Sequence, residues 1–166
     1  MSGNPANAAF EFATATRIIF GEGKIAEAPA AIEGFGRKVL VVTGRTPTRA
    51  APLLELLKEF DCAVHCIPGE PTISEITEGV QAANGREVVV AIGGGSAIDA
   101  GKAIAALLTN PGEPLDYLEV IGRGQPLTEA PLPFIAIPTT AGTGAEVTRN
   151  AVITCREQRV KVSLRH

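Results

Sequence analysis

The sequence is poor in the side chains that most often carry out catalysis. It contains only two histidines, His65 and His166, although histidine is the most frequent general base and a common metal ligand. It has no G-x-S-x-G motif, which excludes the nucleophile elbow of the α/β-hydrolases. No cluster of His, Asp and Glu has metal-site spacing. The sequence therefore predicts a binding domain without a complete catalytic apparatus of its own.

Other absences narrow the class of protein. No run of 18 apolar residues is present, so we expect no membrane span. The net charge of −3 leaves no basic surface for nucleic acid. The opening "MSGNPANAAFEF" lacks the basic start and apolar core of a signal peptide. The three cysteines, an odd number, are typical of reduced thiols, and we expect a cytoplasmic protein.

Two of those cysteines, Cys62 and Cys66, flank His65 in "DCAVHCIPG". This grouping suggests a metal site, but such a site needs further ligands, and no second pair is present. The alternative is a β-strand with small apolar side chains, since a free cysteine packs as a small hydrophobic residue. We favour the strand.

The residues that are present indicate a packed α/β domain. Hydrophobic residues make up 45% of the chain and charged residues 20%, which suits one domain with a buried core. Near-continuous apolar runs, typical of strands buried on both faces, alternate with helix patterns. The predicted strands are 37–44, 62–69, 86–95 and 133–140, and the predicted helices are 25–35 (interrupted by Pro29), 46–60, 72–85 and 96–110. This order predicts a Rossmann-like, open and mostly parallel sheet flanked by helices.

Further segments complete the prediction. Residues 16–24 are predicted to form a short strand and glycine turn, and residues 111–133 a long loop rich in Pro and Gly. Residues 150–155 and 158–164 are expected to form a small β-hairpin. Helix-capping signals occur at Thr46 with Pro47, at Thr72 with Glu75, at Ser96 with Asp99 and at Thr143 with Glu146.

Turns rich in glycine and threonine follow three of the predicted strands, at Thr43-Gly44, Gly93–Ser96 and Thr139–Gly144. Ligands of open α/β sheets bind at the carboxyl ends of the strands. These turns therefore predict one binding crevice.

The turn Gly93–Ser96 has the features of an anion site. Glycines allow close approach to the backbone, and the following helix offers free N–H groups and the positive end of its dipole. The stretch is not a Walker motif, because Ser96 stands where glycine is required. It also lacks the third glycine of G-x-G-x-x-G, which Ile98 replaces. A tight turn without a ligand is the alternative, and we favour phosphate binding.

The other two turns add to the crevice. The hydroxyls of Thr139, Thr140 and Thr143 suit phosphate or ribose, whereas simple helix capping would explain Thr143 alone. At the end of the first core strand, dinucleotide folds often carry an acid that binds the ribose. This sequence has Gly44 and Arg45 there, a pair that would tolerate a 2′-phosphate. The alternative is that Arg45 is a solvated loop charge.

With these motifs, "VVVAIGGGSAIDAGKAIA" and "PFIAIPTTAGTGAEVTRNAVI", the sequence resembles the group III, iron-type alcohol dehydrogenases, from "FGEGK" to "RVKVSLRH". The resemblance implies an NAD(P)-binding α/β domain, related to that of dehydroquinate synthases, over residues 1–166. In the family, a C-terminal helical domain supplies an Asp and three His ligands to iron, or sometimes zinc. It also implies reversible oxidation of an alcohol to an aldehyde or ketone.

Family site residues are transferred only where the motifs match. The resemblance assigns Gly94, Gly95 and Ser96 to the pyrophosphate, Asp99 to a neighbouring contact, and the threonine turn to adenine and phosphates. The residues so expected to bind cofactor, together with the Gly44 and Arg45 position, are Gly44, Arg45, Gly94, Gly95, Ser96, Asp99, Thr139, Thr140, Thr143, Asn150, Val152 and Lys161. Because NAD-preferring members often carry Asp where Gly44 stands, we expect NADP or a relaxed preference.

The resemblance assigns this chain no catalytic residue and no metal ligand, since His166 does not match a ligand position. We therefore expect cofactor binding without a metal site, with the apolar surface toward the second domain exposed and favouring homo-oligomers. Three alternatives remain: a maleylacetate reductase or glycerol dehydrogenase-like relative, a non-catalytic nucleotide-binding or self-associating module, and a domain that binds nothing.

Overall fold

A four-stranded parallel sheet forms the centre of the fold. The computed structural model describes residues 14–165, so the expectations for residues 1–12 and for His166 lie outside it. The strands stand in the order β2-β1-β3-β4. They are β1 (Lys38–Gly44), β2 (Asp61–Ile67), β3 (Val88–Gly93) and β4 (Phe134–Pro138). The Rossmann-like, mostly parallel sheet predicted from the sequence is confirmed.

The two central strands are buried on both faces, as their apolar runs predict. On β1, Leu40 and Val42 belong to one core cluster, whereas Val39 and Val41 belong to the cluster on the opposite face. Every residue of β3 is buried. Because successive side chains of a strand point to opposite faces, both faces must be covered by helices.

Helices cover both faces. The bounds are α1 (Ala28–Glu33), α2 (Ala51–Leu56), α3 (Ile73–Ala82), α4 (Gly95–Thr109) and α5 (Pro114–Tyr117). Helices α1 and α2 share a cluster with Val39 and Val41, and α3 and α4 share the other cluster with Leu40 and Val42. Helix α4 spans 15 residues and lies against both β3 and β4.

The first two predicted helices are each divided. Residues 25–35 form a 3-10 turn, Lys24–Glu27, followed by α1, and Pro29 lies in the first turn of α1. A second 3-10 turn, Pro47–Ala50, precedes α2. Proline fits both places because the first helical residues need no N–H donor. The loop 111–133 also differs from the prediction, because it contains α5.

Only one of the predicted caps forms in full. Thr72 Oγ1 accepts a hydrogen bond from the Glu75 amide at 3.3 Å, and Glu75 Oε2 accepts one from the Thr72 amide at 2.8 Å. Thr46 occupies the predicted N-cap position before Pro47, but its side chain makes no capping bond. The other two are wrong, because Ser96 lies within α4, which is capped by Gly94, and the turn after Thr143 is capped by Gly144. Spacing alone cannot tell a cap from a residue one or two positions inside the helix.

The described residues 14–23 contain no strand, so the strand predicted in 16–24 is wrong. The glycine turn is present there, since Gly21 and Gly23 have φ of 146° and 72°. Phe20 projects from this segment with 94% of its surface exposed. An apolar run can be interpreted as a strand, but strand formation also requires a neighbouring strand, and no strand within residues 14–165 pairs with this segment.

The predicted hairpin is confirmed. Strands β5 (Asn150–Cys155) and β6 (Val160–Arg165) pair antiparallel and form a separate two-stranded sheet. Ala151, Ile153 and Leu164 are buried and join the core cluster that contains α4. The hairpin therefore packs on the outer side of α4.

The strand interpretation of "DCAVHCIPG" is also confirmed. His65 lies in β2, and its Nε2 donates a hydrogen bond to the Glu75 carbonyl at 2.9 Å. Burial raises the pKa of the Cys62 thiol. Within residues 14–165, no helix is long and apolar enough to cross a membrane.

Candidate functional site

The connections of β1 define a crevice at the carboxyl edge of the sheet. From β1 the chain passes to β2 on one side and then returns to β3 on the other side. The loops after β1 and β3 therefore diverge, and ligands of open α/β sheets bind at such a switch point. Gly44 and Gly93 meet there, since a Cβ added to Gly93 would lie 3.4 Å from the Gly44 nitrogen.

The glycine turn and the threonine turn form the two sides of one cradle. The Thr139 amide donates a hydrogen bond to the Gly93 carbonyl at 2.8 Å. A Cβ added to Gly94 would lie 3.3 Å from Thr140 Oγ1, and one added to Gly95 would lie 3.2 Å from Thr143 Cβ. The turns approach so closely that any side chain in place of these glycines would crowd the threonines.

The chemistry of this cradle suits an anion. Gly94 occupies the N-cap position of α4 and makes no side-chain hydrogen bond to the first amides of this 15-residue helix. These amides therefore face the cradle without a capping partner. The helix dipole adds a partial positive charge at the same point. Thr139, Thr140 and Thr143 are exposed beside it and offer three hydroxyls. Thr143 Oγ1 also accepts a weak hydrogen bond from the Ala145 amide at 3.5 Å.

At the end of β1, the space beside Gly44 is open, since an added Cβ would meet no atom within 4 Å. Arg45 is fixed nearby, because its Nε donates a hydrogen bond to the Pro68 carbonyl at 2.7 Å. The bond ties the loop after β1 to the loop after β2. The crevice therefore has a guanidinium and no carboxylate at this position.

Asp99 and Lys102 anchor the hairpin to α4. Lys102 Nζ and Asp99 Oδ1 are 2.9 Å apart, and the two side chains are only 15% and 14% exposed. Asp99 Oδ2 accepts a hydrogen bond from the Val152 amide at 3.2 Å. Lys102 Nζ also donates to the carbonyls of Ala145, at 2.8 Å, and Asn150. This buried pair fixes the chain between the threonine turn and β5.

This anchoring was not foreseen from the sequence. Asp99 accepts a hydrogen bond from Val152 and pairs with Lys102, to which no role was assigned. The expected contact of Asp99 with a cofactor stays a prediction. The i, i+3 spacing of the two residues on one helix was the available signal. Asn150 differs from both, because its Oδ1 is buried without a hydrogen-bond partner among residues 14–165.

Lys161 extends from β6 to the carboxyl edge of the sheet, where it meets Glu70. The Lys161 ammonium lies 2.5 Å from Glu70 Oε1, and Thr154 donates a hydrogen bond to Glu70 Oε2 at 3.3 Å. The hydrogen bond from Lys161 holds the pKa of the Glu70 carboxyl below its usual range. The Thr154 amide further donates to the Pro71 carbonyl at 2.7 Å. The sequence analysis did not select Glu70, although the loop after β2 begins at the same edge of the sheet as the other turns.

The fold thus places the predicted site residues in two groups. The turns at Gly44, Gly94 and Thr140 lie together at the switch point. The hairpin residues lie beside α4 and the loop after β2, held there by backbone hydrogen bonds of Val152 and Thr154 and by the Lys161–Glu70 ion pair. The assignment of these residues to a cofactor stays a prediction.

Comparison with protein families matches residues 15–166 to the iron-containing alcohol dehydrogenases. Alcohol dehydrogenase 4 of Schizosaccharomyces pombe is 37% identical over 155 residues, which cover 88% of this chain and 36% of that protein. NADH-dependent butanol dehydrogenase A of Clostridium acetobutylicum is 31% identical, covering 95% of this chain and 42% of that protein.

Solved structures show the same fold. Sulfoacetaldehyde reductase from Bifidobacterium kashiwanohense, in complex with NAD+, superposes with a TM-score of 0.85 at 29% identity. The match covers 96% of this chain and 43% of that structure. The chain therefore spans about two fifths of the length of the relatives that it matches.

Proposed function

This chain belongs to the iron-containing alcohol dehydrogenase family, and on that premise we propose that residues 1–166 form an NAD(P)-binding domain serving hydride transfer between an alcohol and its aldehyde or ketone. The observation that supports this most strongly is the cradle at the switch point. There the free amides at the start of α4 lie close to Thr140 and Thr143, since a Cβ added to Gly94 or Gly95 would come within 3.3 or 3.2 Å of these threonines. A pyrophosphate needs such a combination of amides, hydroxyls and close backbone approach.

The residues fit a dinucleotide at three points. In our proposal the amides of Gly95 and Ser96 bind the pyrophosphate, and the hydroxyls of the threonine turn bind a phosphate and the adenine side. Asn150, at the start of the hairpin, contacts the nicotinamide half, as the family resemblance implies. The chemistry supplied by a nicotinamide dinucleotide, when bound, is hydride exchange with the alcohol or aldehyde carbon.

Arg45 supports a preference for the 2′-phosphorylated cofactor. Its guanidinium is held by Pro68, and the open space beside Gly44 leaves room for a phosphate. The similarity to an NADH-dependent butanol dehydrogenase and to a reductase bound to NAD+ favours the unphosphorylated cofactor instead. Arg45→Gln distinguishes the two. If Arg45 binds the phosphate, its removal weakens NADPH binding by roughly tenfold or more and leaves NADH binding unchanged.

The described residues do not fit the metal of the family. Within residues 14–165, no group of three or more His, Cys, Asp or Glu side chains is placed to hold a metal ion. We therefore derive no step of the reaction from a metal held by these residues. The role proposed for them is to bind and orient the dinucleotide.

The first test is a titration of the chain with NADPH and with NADH, followed by nicotinamide fluorescence. We expect saturable binding, weakened more than tenfold by Gly95→Val, because valine at 3.2 Å from Thr143 fills the cradle. Gly34→Val is the matched control, since a Cβ at Gly34 meets no atom within 4 Å. Equal affinity of wild type and a folded Gly95→Val would refute the assignment of the cradle.

We also propose that the chain self-associates through apolar surface near the open edge of β4. Phe20, Phe35 and Val147 are exposed there and line one groove with Ile135 and Ile137. Large exposed apolar patches and unpaired strand edges mark interaction surfaces. Sedimentation velocity of wild type and Phe20→Ser tests this, and a monomeric wild type at micromolar concentration would contradict it.

A further inference from the structure

The ion pair between Glu70 and Lys161 links two distant parts of the chain at the crevice. Glu70 belongs to the loop after β2, and the last residue of β2, Ile67, pairs with Gly44 of β1. The loop therefore leaves the sheet beside the position where Arg45 stands. Lys161 comes from β6, a separate sheet packed on the far side of α4. The hairpin reaches over to the carboxyl edge at this contact.

Backbone contacts hold the two segments in register. The Thr154 amide donates to the Pro71 carbonyl at 2.7 Å, and Thr154 forms an isolated parallel bridge with Thr72. Thr154 faces Lys161 across the hairpin. Glu70 thus receives a hydrogen bond from each strand of the hairpin, from Thr154 and from Lys161. These two hydrogen bonds orient the Glu70 carboxylate toward the Lys161 ammonium.

Stability does not account for this pair. The side chains of Lys161 and Glu70 are 58% and 57% exposed, and exposed ion pairs contribute little to folding. The backbone contacts of Thr154 hold the hairpin to the loop without it. What the pair does is favour one rotamer of Lys161, a long side chain that otherwise samples many conformations in water.

We propose that Glu70 is a positioning residue for the dinucleotide, acting by holding the Lys161 ammonium in the orientation in which it meets the bound cofactor. The inference rests on the proposed function, together with the assignment of Lys161 to the dinucleotide that the family resemblance implies. A lysine already ordered before binding loses less conformational freedom when the ligand arrives. The positioning residue therefore increases affinity without touching the ligand.

The expected effect follows from the cost of ordering one side chain. Releasing Lys161 from Glu70 returns part of that cost to the binding step, and because the exposed pair is itself weak, binding weakens by roughly twofold to fivefold. Glu70→Gln makes this change while keeping the shape of the side chain. Glu70→Asp retains the charge and should restore part of the affinity.

The experiment is a double-mutant cycle on the 166-residue chain, with the dissociation constants of NADPH and NADH measured by nicotinamide fluorescence. The proteins are wild type, Glu70→Gln, Lys161→Met and the double variant. Glu55→Gln is the control, because Glu55 on α2 forms a similarly exposed pair with Lys58, two residues beyond the helix. Thermal unfolding of each variant shows whether the fold is kept.

We expect Glu70→Gln to weaken binding in the wild-type background and to have no effect when Lys161 is already Met, since the role acts through Lys161. Glu55→Gln should bind as wild type does. Unchanged or tighter binding by Glu70→Gln would overturn the inference, because tighter binding would show that Glu70 competes for Lys161. A weakening that persists in the Lys161→Met background would overturn it as well.

The failure of the underlying proposal gives a different pattern. If wild type binds neither dinucleotide, the proposed function falls and this inference falls with it. If wild type binds both and Lys161→Met weakens binding while Glu70→Gln does not, the proposed function stands and only the role of Glu70 is refuted.

Discussion

Gly101 controls how closely α4 approaches the sheet, and its replacement by alanine tests whether that approach matters. A Cβ added to Gly101 would lie 2.7 Å from Phe134 Cε2 and 2.8 Å from the Cβ of Ala91. The Ala91 Cβ is fixed to the backbone of β3, so it cannot turn away as a flexible side chain would. Helix α4 must move outward to accept the methyl group.

Two effects oppose each other in this substitution. Alanine is favoured over glycine within a helix by about 1 kcal/mol, whereas inserting a methyl group into a well-packed core costs about 1–3 kcal/mol. The contacts fall well inside the separation of about 3.5–4 Å that carbon atoms prefer. We therefore expect the packing cost to exceed the gain in helix propensity and the free energy of unfolding to fall by about 1 kcal/mol.

Thermal unfolding followed by circular dichroism measures this change. A loss of about 1 kcal/mol lowers the melting temperature by about 2–4 °C in a protein of this size. Gly34→Ala is the control, since Gly34 has helical φ and ψ and no atom within 4 Å of an added Cβ. It should leave the melting temperature unchanged or raise it slightly.

The same variant connects packing to function. Outward movement of α4 displaces its first amides, so we expect Gly101→Ala to weaken dinucleotide binding as well as stability. A melting temperature equal to or above that of Gly34→Ala would refute the packing argument. Reduced stability with unchanged dinucleotide affinity would refute the claim that the approach of α4 sets the cradle.

Three further predictions concern residues outside the crevice. Glu87 accepts hydrogen bonds from the amides of Lys38 and Arg37, which lower the pKa of its carboxyl. Its contribution to the free energy of unfolding is therefore present above the ordinary pKa and is lost as the pH falls through the lowered value. In Glu87→Gln the free energy of unfolding, measured with urea, should change less between pH 5 and pH 3 than in wild type. Asn110 is buried and bonds to Ala106 and to Glu129, so Asn110→Ala should cost about 1–3 kcal/mol in the same assay, and a smaller loss than for Gly101→Ala would contradict the bonding. Burial raises the pKa of Cys62, so iodoacetamide should alkylate this thiol more slowly than free cysteine at pH 8, and equal rates by mass spectrometry would show that the thiol is not shielded.

The fold class was predictable because a strand that is buried on both faces has apolar residues at successive positions. In "RKVLVVTG" and "REVVVAIGGG", apolar residues follow one another at successive positions. A strand needs this pattern only when both of its faces are covered. The alternation of such runs with helix patterns then leaves a parallel sheet as the natural arrangement. The positions of the turns follow too, since a parallel sheet brings all its carboxyl ends to one edge.

The first residues of the helices, and the structure of residues 16–24, were less predictable from the sequence. Ser96 and Thr143 have the spacing of capping residues, but glycines occupy the cap positions of α4 and of the 3-10 turn Ala145–Val147. Residues 16–24 contain an apolar run typical of a strand, yet among the described residues no strand pairs with them. Pairing depends on which segments meet in space.

The sequence by itself determined the sheet, its helices and the edge at which the glycine and threonine turns lie, because these follow from local patterns of burial and from glycine. Tertiary structure alone decided which charged and polar groups meet there. Asp99 accepts a hydrogen bond from Val152, 53 positions away, and Lys161 meets Glu70, 91 positions away. Such pairs form when packing of the hairpin against α4 brings remote side chains within a few ångströms, and no local pattern encodes that distance.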